Sequence, residues 1–73
     1  MTKIPVRRDT LLARINRRLL KDGRRVYRSR SLAMRRAAGD WAMFDDGGIV
    51  RKNVNLEALA RELGVLAEWE TLR

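Results

Sequence analysis

One dipeptide, Asp46-Gly47, limits the folds open to this chain more than any other feature. It lies between the apolar runs Trp41-Ala42-Met43-Phe44 and Ile49-Val50. Asp-Gly between such runs is a strong hairpin signal, because a type I′ turn needs positive φ at both central residues and these residue types tolerate it. With Asp46-Gly47 at the tip, Asp45 pairs with Gly48, Phe44 with Ile49 and Met43 with Val50. Trp41, Met43, Val50 and Val54 then share one face, and Ala42, Phe44 and Ile49 share the other. Placing Gly47-Gly48 at the tip would set Val50 opposite Asp45 and move every side chain to the other face.

The hairpin runs into a helix whose two ends are both marked. Asn55 is a suitable N-cap, and Glu57 places negative charge in the first turn, where it meets the positive end of the helix dipole. Val54 and Leu59 have the spacing of a hydrophobic staple. Leu56, Leu59, Ala60 and Leu63 recur at helical intervals, and Gly64 can take the left-handed conformation that ends the helix. Beyond it, Leu66, Trp69 and Leu72 recur every third residue, which predicts a final turn folded back onto the core. Trp41 or Trp69, or both, are then expected to be largely buried.

A lone hairpin is not stable in water, so the rest of the chain must cover it. Leu11, Leu12, Ile15 and Leu19 fall within an arc of about 100° on a helix, predicted over Leu11–Lys21 with Asp9 or Thr10 as cap and Gly23 as stop. Val26 and Tyr27 permit a third strand whose flanking arginines suit a sheet edge. Ser31 can cap a short helix, Leu32–Ala38, closed by Gly39; an irregular arginine-rich loop is the alternative. The expected fold class is a small α+β single domain over residues 9–73, with an N-terminal helix, an antiparallel hairpin of two or three strands, and a C-terminal helix, the helices packed on one face of the sheet. Residues 1–8, basic and with Pro5 opposing early helix, are expected as a flexible or short extended arm.

Seventy-three residues make a marginal core, since a chain of this size buries only about 60% of its unfolded surface. A homodimer through a sheet edge or around Trp69 would add buried area. With no Cys, neither disulfides nor thiolate metal sites are available; with no His, the commonest general base is missing as well. Asp45 and Asp46 lack the alternating spacing of a calcium loop, Ser29 and Ser31 have no base beside them, and there is no phosphate-binding glycine loop. The expectation is therefore no enzyme, no cofactor and no metal. The first residues lack the apolar run of a signal peptide and no stretch is long enough to span a membrane, so no membrane partner and a cytoplasmic setting are expected.

Charge gives the functional lead. Residues 1–38 carry 13 Lys and Arg against 2 Asp, a net of +11, and residues 39–73 carry 4 against 7, a net of −3, which together make +8. A basic half beside a mildly acidic one points to a polyanionic partner. On the first helix Arg14, Arg17, Arg18 and Lys21 lie opposite the apolar arc, between roughly 240° and 340° on the same count. Arg24, Arg25, Arg28 and Arg30 follow, with Tyr27 among them as an aromatic able to stack on a base. These nine residues are the expected nucleic-acid-binding set, for DNA, RNA or a nucleoprotein complex. Leu59 to Val65 resembles the first helix and turn of a helix-turn-helix, but only eight residues follow, including Glu68 and Glu70, too few and too acidic for a recognition helix.

The segments Leu11-Leu12-Ala13-Arg14-Ile15-Asn16-Arg17-Arg18-Leu19 and Val54 to Leu66 together resemble small accessory proteins of proteobacterial plasmids, integrative elements and phages. The stretch from Trp41 to Leu63 is also similar to a type I-E anti-CRISPR protein, although that example is acidic and this chain is basic. The first resemblance implies a mobile-element accessory protein and supplies no functional residues. The second implies an alternative: an inhibitor or adaptor acting on a protein surface.

Overall fold

The computed structural model describes residues 3–73. Its elements are β1 (Ile4–Val6), α1 (Arg8–Leu19, continued by a 3-10 turn over Leu20–Asp22), β2 (Arg25–Arg28), α2 (Leu32–Ala38), β3 (Trp41–Asp45), β4 (Gly48–Arg51), α3 (Leu56–Glu62) and β5 (Glu70–Leu72). Strands β2, β3 and β4 form an antiparallel sheet in that order, and β1 pairs with β5 in parallel. The architecture is a small α+β domain.

The sheet separates two environments because successive side chains alternate across it. Val26 pairs with Met43, and both are buried in the main core with Leu11, Ile15 and Leu19 of α1 and Leu56, Leu59 and Ala60 of α3. Tyr27 pairs with Ala42, and Arg25 with Phe44, so these residues belong to the opposite face. There α2 packs against β3, burying Ala38 and Ala42 outside the main core. The expectation that all helices share one face is corrected: α1 and α3 cover one side and α2 part of the other. A seven-residue helix that ends in the small side chains of Ala37 and Ala38 can sit close over β3, where a longer apolar stripe would have competed for the main core.

The hairpin tip lies at Asp46-Gly47, with Asp45 opposite Gly48 and Phe44 opposite Ile49. Two details differ from expectation. Positive φ falls on Gly48 (121°) and on neither Asp46 nor Gly47, so the turn is not type I′; the Asp45 carboxylate accepts from the Gly47 N–H at 2.7 Å and holds the turn instead. A register shift then sets Met43 opposite Arg51 rather than Val50, leaving Val50 exposed. A bulge inserts one unpaired residue and is invisible to an alternation count.

The punctuation of the short helices is as expected. Ser31 Oγ accepts from Met34 N–H at 3.1 Å, Asn55 Oδ1 accepts from Ala58 N–H at 3.0 Å, and Gly23 and Gly64 have φ of 68° and 74°. Helix α1 begins earlier than expected, at Arg8 with Arg7 as N-cap and no side-chain cap. Of the flexible or short extended arm expected over 1–8, residues 4–6 take the extended form as β1 and Val6 is buried, while residues 1 and 2 lie outside the described residues. Pro5 is tolerated because β1 has a strand on one side only.

The C-terminal turn is likewise corrected to a strand. Leu66 is buried but Trp69 is 57% exposed, and Trp41 is half-buried. Trp69 contributes its carbonyl, which accepts from Ile4 N–H at 2.7 Å, while its ring stays outside. Helix α3 fixes β5: Glu57 Oε2 accepts from Leu72 N–H at 2.8 Å and Thr71 Oγ1 at 3.0 Å, and Arg61 Nη2 donates to the Glu70 carbonyl at 3.0 Å.

Candidate nucleic-acid interface

Helix α1 presents its polar side away from the sheet. Arg17, Arg18 and Lys21 are exposed there, and with Arg14 and Val65 they border a shallow hollow. Arg14 differs from the other three. Its Nη1 donates to both carboxylate oxygens of Glu70 at 3.1 Å and to the Val65 carbonyl at 3.3 Å. It therefore ties α1 to the C-terminal segment as well as bordering the basic strip. Hydrogen bonds from the Ala67 N–H, and then from Arg14, hold the Glu70 carboxyl below its ordinary pKa.

The second group lies on and beside β2. Gly23 turns the chain out of α1 and Arg24 follows, exposed. Asn16 of α1 then fixes the strand: its Oδ1 accepts from Val26 N–H at 2.7 Å and its Nδ2 donates to the Val26 carbonyl at 3.2 Å. These are the backbone groups that β3 does not use, so the edge of the sheet is partly closed to a further strand. Sequence reading missed this role of Asn16, since an amide on a helix gives no local sign of a partner ten residues on.

Anchoring Val26 inward turns Tyr27 outward. Tyr27 is 44% exposed, its hydroxyl accepts from Arg25 Nη1 at 3.4 Å, and that contact raises the guanidinium pKa above its ordinary value. Its ring lies 5.9 Å from that of Phe44 on β3, tilted by 56°. Tyr27 and Phe44, with Met34 of α2, line a groove of about 560 Å³ bordered by Arg28 and Arg30. Phe44 and Met34 were not among the expected site residues. The signal was partial: the hairpin register placed Phe44 opposite the Trp41 face, but only the pairing of Tyr27 with Ala42 brings the two aromatics together.

The nine expected residues are thus divided between two surfaces. Arg14, Arg17, Arg18 and Lys21 lie on the far side of α1, and Arg25 and Tyr27 lie on the sheet face that α1 does not cover, with Arg28 and Arg30 at its groove. Arg24 stands at the connection between them. Among the described residues the ion pairs are Arg14–Glu70 (3.1 Å), Arg35–Asp40 (3.2 Å) and Arg51–Glu62 (3.1 Å). Arg17, Arg18, Lys21, Arg24, Arg25, Arg28 and Arg30 take part in none of them. Cations left without carboxylates can offer their full charge to an incoming anion and, the Arg25 bond to Tyr27 aside, their N–H donors as well. No protein-family model matches the chain, and no curated protein or solved structure was found to be similar to it.

Proposed function

We propose that this is a non-enzymatic accessory protein of a phage, plasmid or integrative element, whose basic N-terminal half binds nucleic acid, or a nucleoprotein complex, through phosphate contacts. The observation that carries the reading is the set of seven cations, from Arg17 to Arg30, that have no ion-pair partner among the described residues while three other arginines are paired. A solvated surface in a balanced protein mixes its signs evenly, whereas here nine Lys and Arg between residues 8 and 30 stand against Asp9 and Asp22 alone. The mobile-element setting rests on the resemblance of residues 11–19 and 54–66. Fluorescence anisotropy against duplex DNA, single-stranded DNA and RNA tests the reading. Binding at low micromolar protein near 0.15 M salt is expected, since non-specific phosphate binding lies at about 10⁻⁴–10⁻⁶ M. If none of the three binds in a titration extended to about 100 μM protein, the weak end of that range, nucleic acid is not the target.

A second reading, a protein-binding inhibitor or adaptor, has one feature in its favour. Strand β4 is an edge of its sheet, exposed at every residue, with Val50 presented beside the bulge. An open edge can accept a strand from a partner. This reading predicts no binding to naked nucleic acid.

A further inference from the structure

We infer that the groove on the sheet face that α1 does not cover is a base-stacking platform, and that its occupant is an unpaired, single-stranded polynucleotide. The inference rests on the nucleic-acid reading and adds to it which strand form is held, and where.

Three observations converge on the groove. The first is the aromatic pair. Tyr27 and Phe44 stand on neighbouring strands with ring centroids 5.9 Å apart, and Tyr27 remains 44% exposed in a chain that otherwise has few aromatics. Base–aromatic stacking needs a ring face open to solvent, and a sheet holds such rings rigidly. The second is shape. The groove of about 560 Å³ is walled by Met34 of α2 and falls within the roughly 300–1,000 Å³ usual for small-molecule sites, which gives room for a planar base. The third is charge. The groove is bordered by Arg28 and Arg30, and among the described residues no carboxylate lines it. Neither arginine is in an ion pair among the described residues. Cationic borders repel a lysine- or arginine-bearing ligand and complement a phosphate chain running past a stacked base.

A duplex cannot stack a base on this surface, because its base faces are already stacked on each other and only base edges and backbone are presented. The α1 strip could bind the phosphates of either form, so the sheet groove is where single and double strands should be distinguished.

The test measures affinity of the full chain for a fluorescein-labelled oligothymidylate of about 15 nucleotides, within the span of such sites, the matching oligouridylate, and a duplex of the same length. Tyr27→Leu keeps apolar bulk but removes the ring, and Tyr27→Phe keeps the ring; circular dichroism checks that each is folded. Single strands should bind more tightly than the duplex. Tyr27→Leu should weaken single-strand binding about 5- to 150-fold, the range of one lost stacking partner, with duplex binding and the salt slope unchanged. Tyr27→Phe should restore affinity. A preference for either sugar supports the platform. Equal loss on duplex and single strand, or no loss in a folded Tyr27→Leu protein, overturns the platform while leaving phosphate binding intact. Absence of binding to all three probes overturns both. If Tyr27→Leu fails to fold, the Tyr27→Phe/Phe44→Leu double variant takes its place with the same expected loss.

Discussion

Gly39 closes α2 against the segment that follows the hairpin. Its φ of 80° and ψ of −173° lie in a region that only glycine occupies comfortably. A Cβ there would meet the Asn53 Oδ1 and come within 3.0 Å of the Asn53 Cα. Asn53 cannot easily yield: it holds φ of 51° itself and donates its N–H to the Ala38 carbonyl at 2.7 Å. Gly39→Ala should therefore cost roughly 2–4 kcal/mol in chemical denaturation, from strain and overpacking together. Gly23→Ala, with a similar φ but nothing near the added carbon, should cost only about 1–2 kcal/mol. Arg14 offers a second contrast at this scale. Arg14→Gln should lower the melting temperature, because Glu70 and the Val65 carbonyl lose their donor. Arg17→Gln and Arg18→Gln should stay within about 0.5 kcal/mol of the parent, as exposed substitutions without partners do. Thermal melts of the three single variants check this. Spacing alone puts all three arginines on the polar side of a helix; that one of them reaches a carboxylate 56 residues away is a tertiary fact with no local trace.

The elements divide by how local their causes are. Helices α2 and α3 were legible because caps and stops act within four residues: Ser31 and Gly39 for one, Asn55 and Gly64 for the other. The hairpin tip was legible from Asp46-Gly47, but the bulge that exposes Val50 was not, since one extra unpaired residue leaves no mark on an alternation count. The pairing of β1 with β5 was not legible, although a short extended arm was expected over the residues of β1. These strands join the two ends of the chain in parallel, and neither is long enough to show an alternation. Glu57 and Arg61 of α3 are among the polar groups that secure β5, which gives a pH test. The Glu57 carboxyl is held below its ordinary pKa, first by the Leu72 N–H and then by the Thr71 hydroxyl, and Glu70 is shifted the same way. A carboxyl whose folded pKa is depressed stabilises the fold fully above its unfolded value, about 4.3 for Glu, and loses that contribution as pH falls through the folded pKa. Stability measured by urea denaturation should thus fall below about pH 4.3. Glu57→Gln should flatten that fall while lowering stability at neutral pH. A parent and variant with parallel pH profiles would show that Glu57 does not secure β5.

The whole molecule is a slab of 40 × 27 × 16 Å, with the sheet between α1 and the Tyr27 groove. Its basic residues were legible from the sequence, but their division between two opposite surfaces was not, because that depends on which way β2 is turned by Asn16 and Val26. Several carboxylates are engaged away from these surfaces, namely Glu57 at β5, Asp40 on Arg35, Glu62 on Arg51 and Asp45 at the hairpin tip, while Glu70 neutralises Arg14 at the border of the α1 strip. On the proposed reading, the basic half is left to face a polyanion. The salt dependence of binding to duplex DNA measures this most directly, since each phosphate neutralised releases condensed counterions. Engagement of three to five phosphates gives a log–log slope of roughly −3 to −4.5, at about 0.9 per phosphate. Arg17→Gln/Arg18→Gln/Lys21→Gln, which leaves the Arg14 anchor in place, should weaken binding and flatten the slope by about two to three units. A slope near zero in the parent, or a triple variant with the parent's slope, would mean that these cations do not grip phosphate.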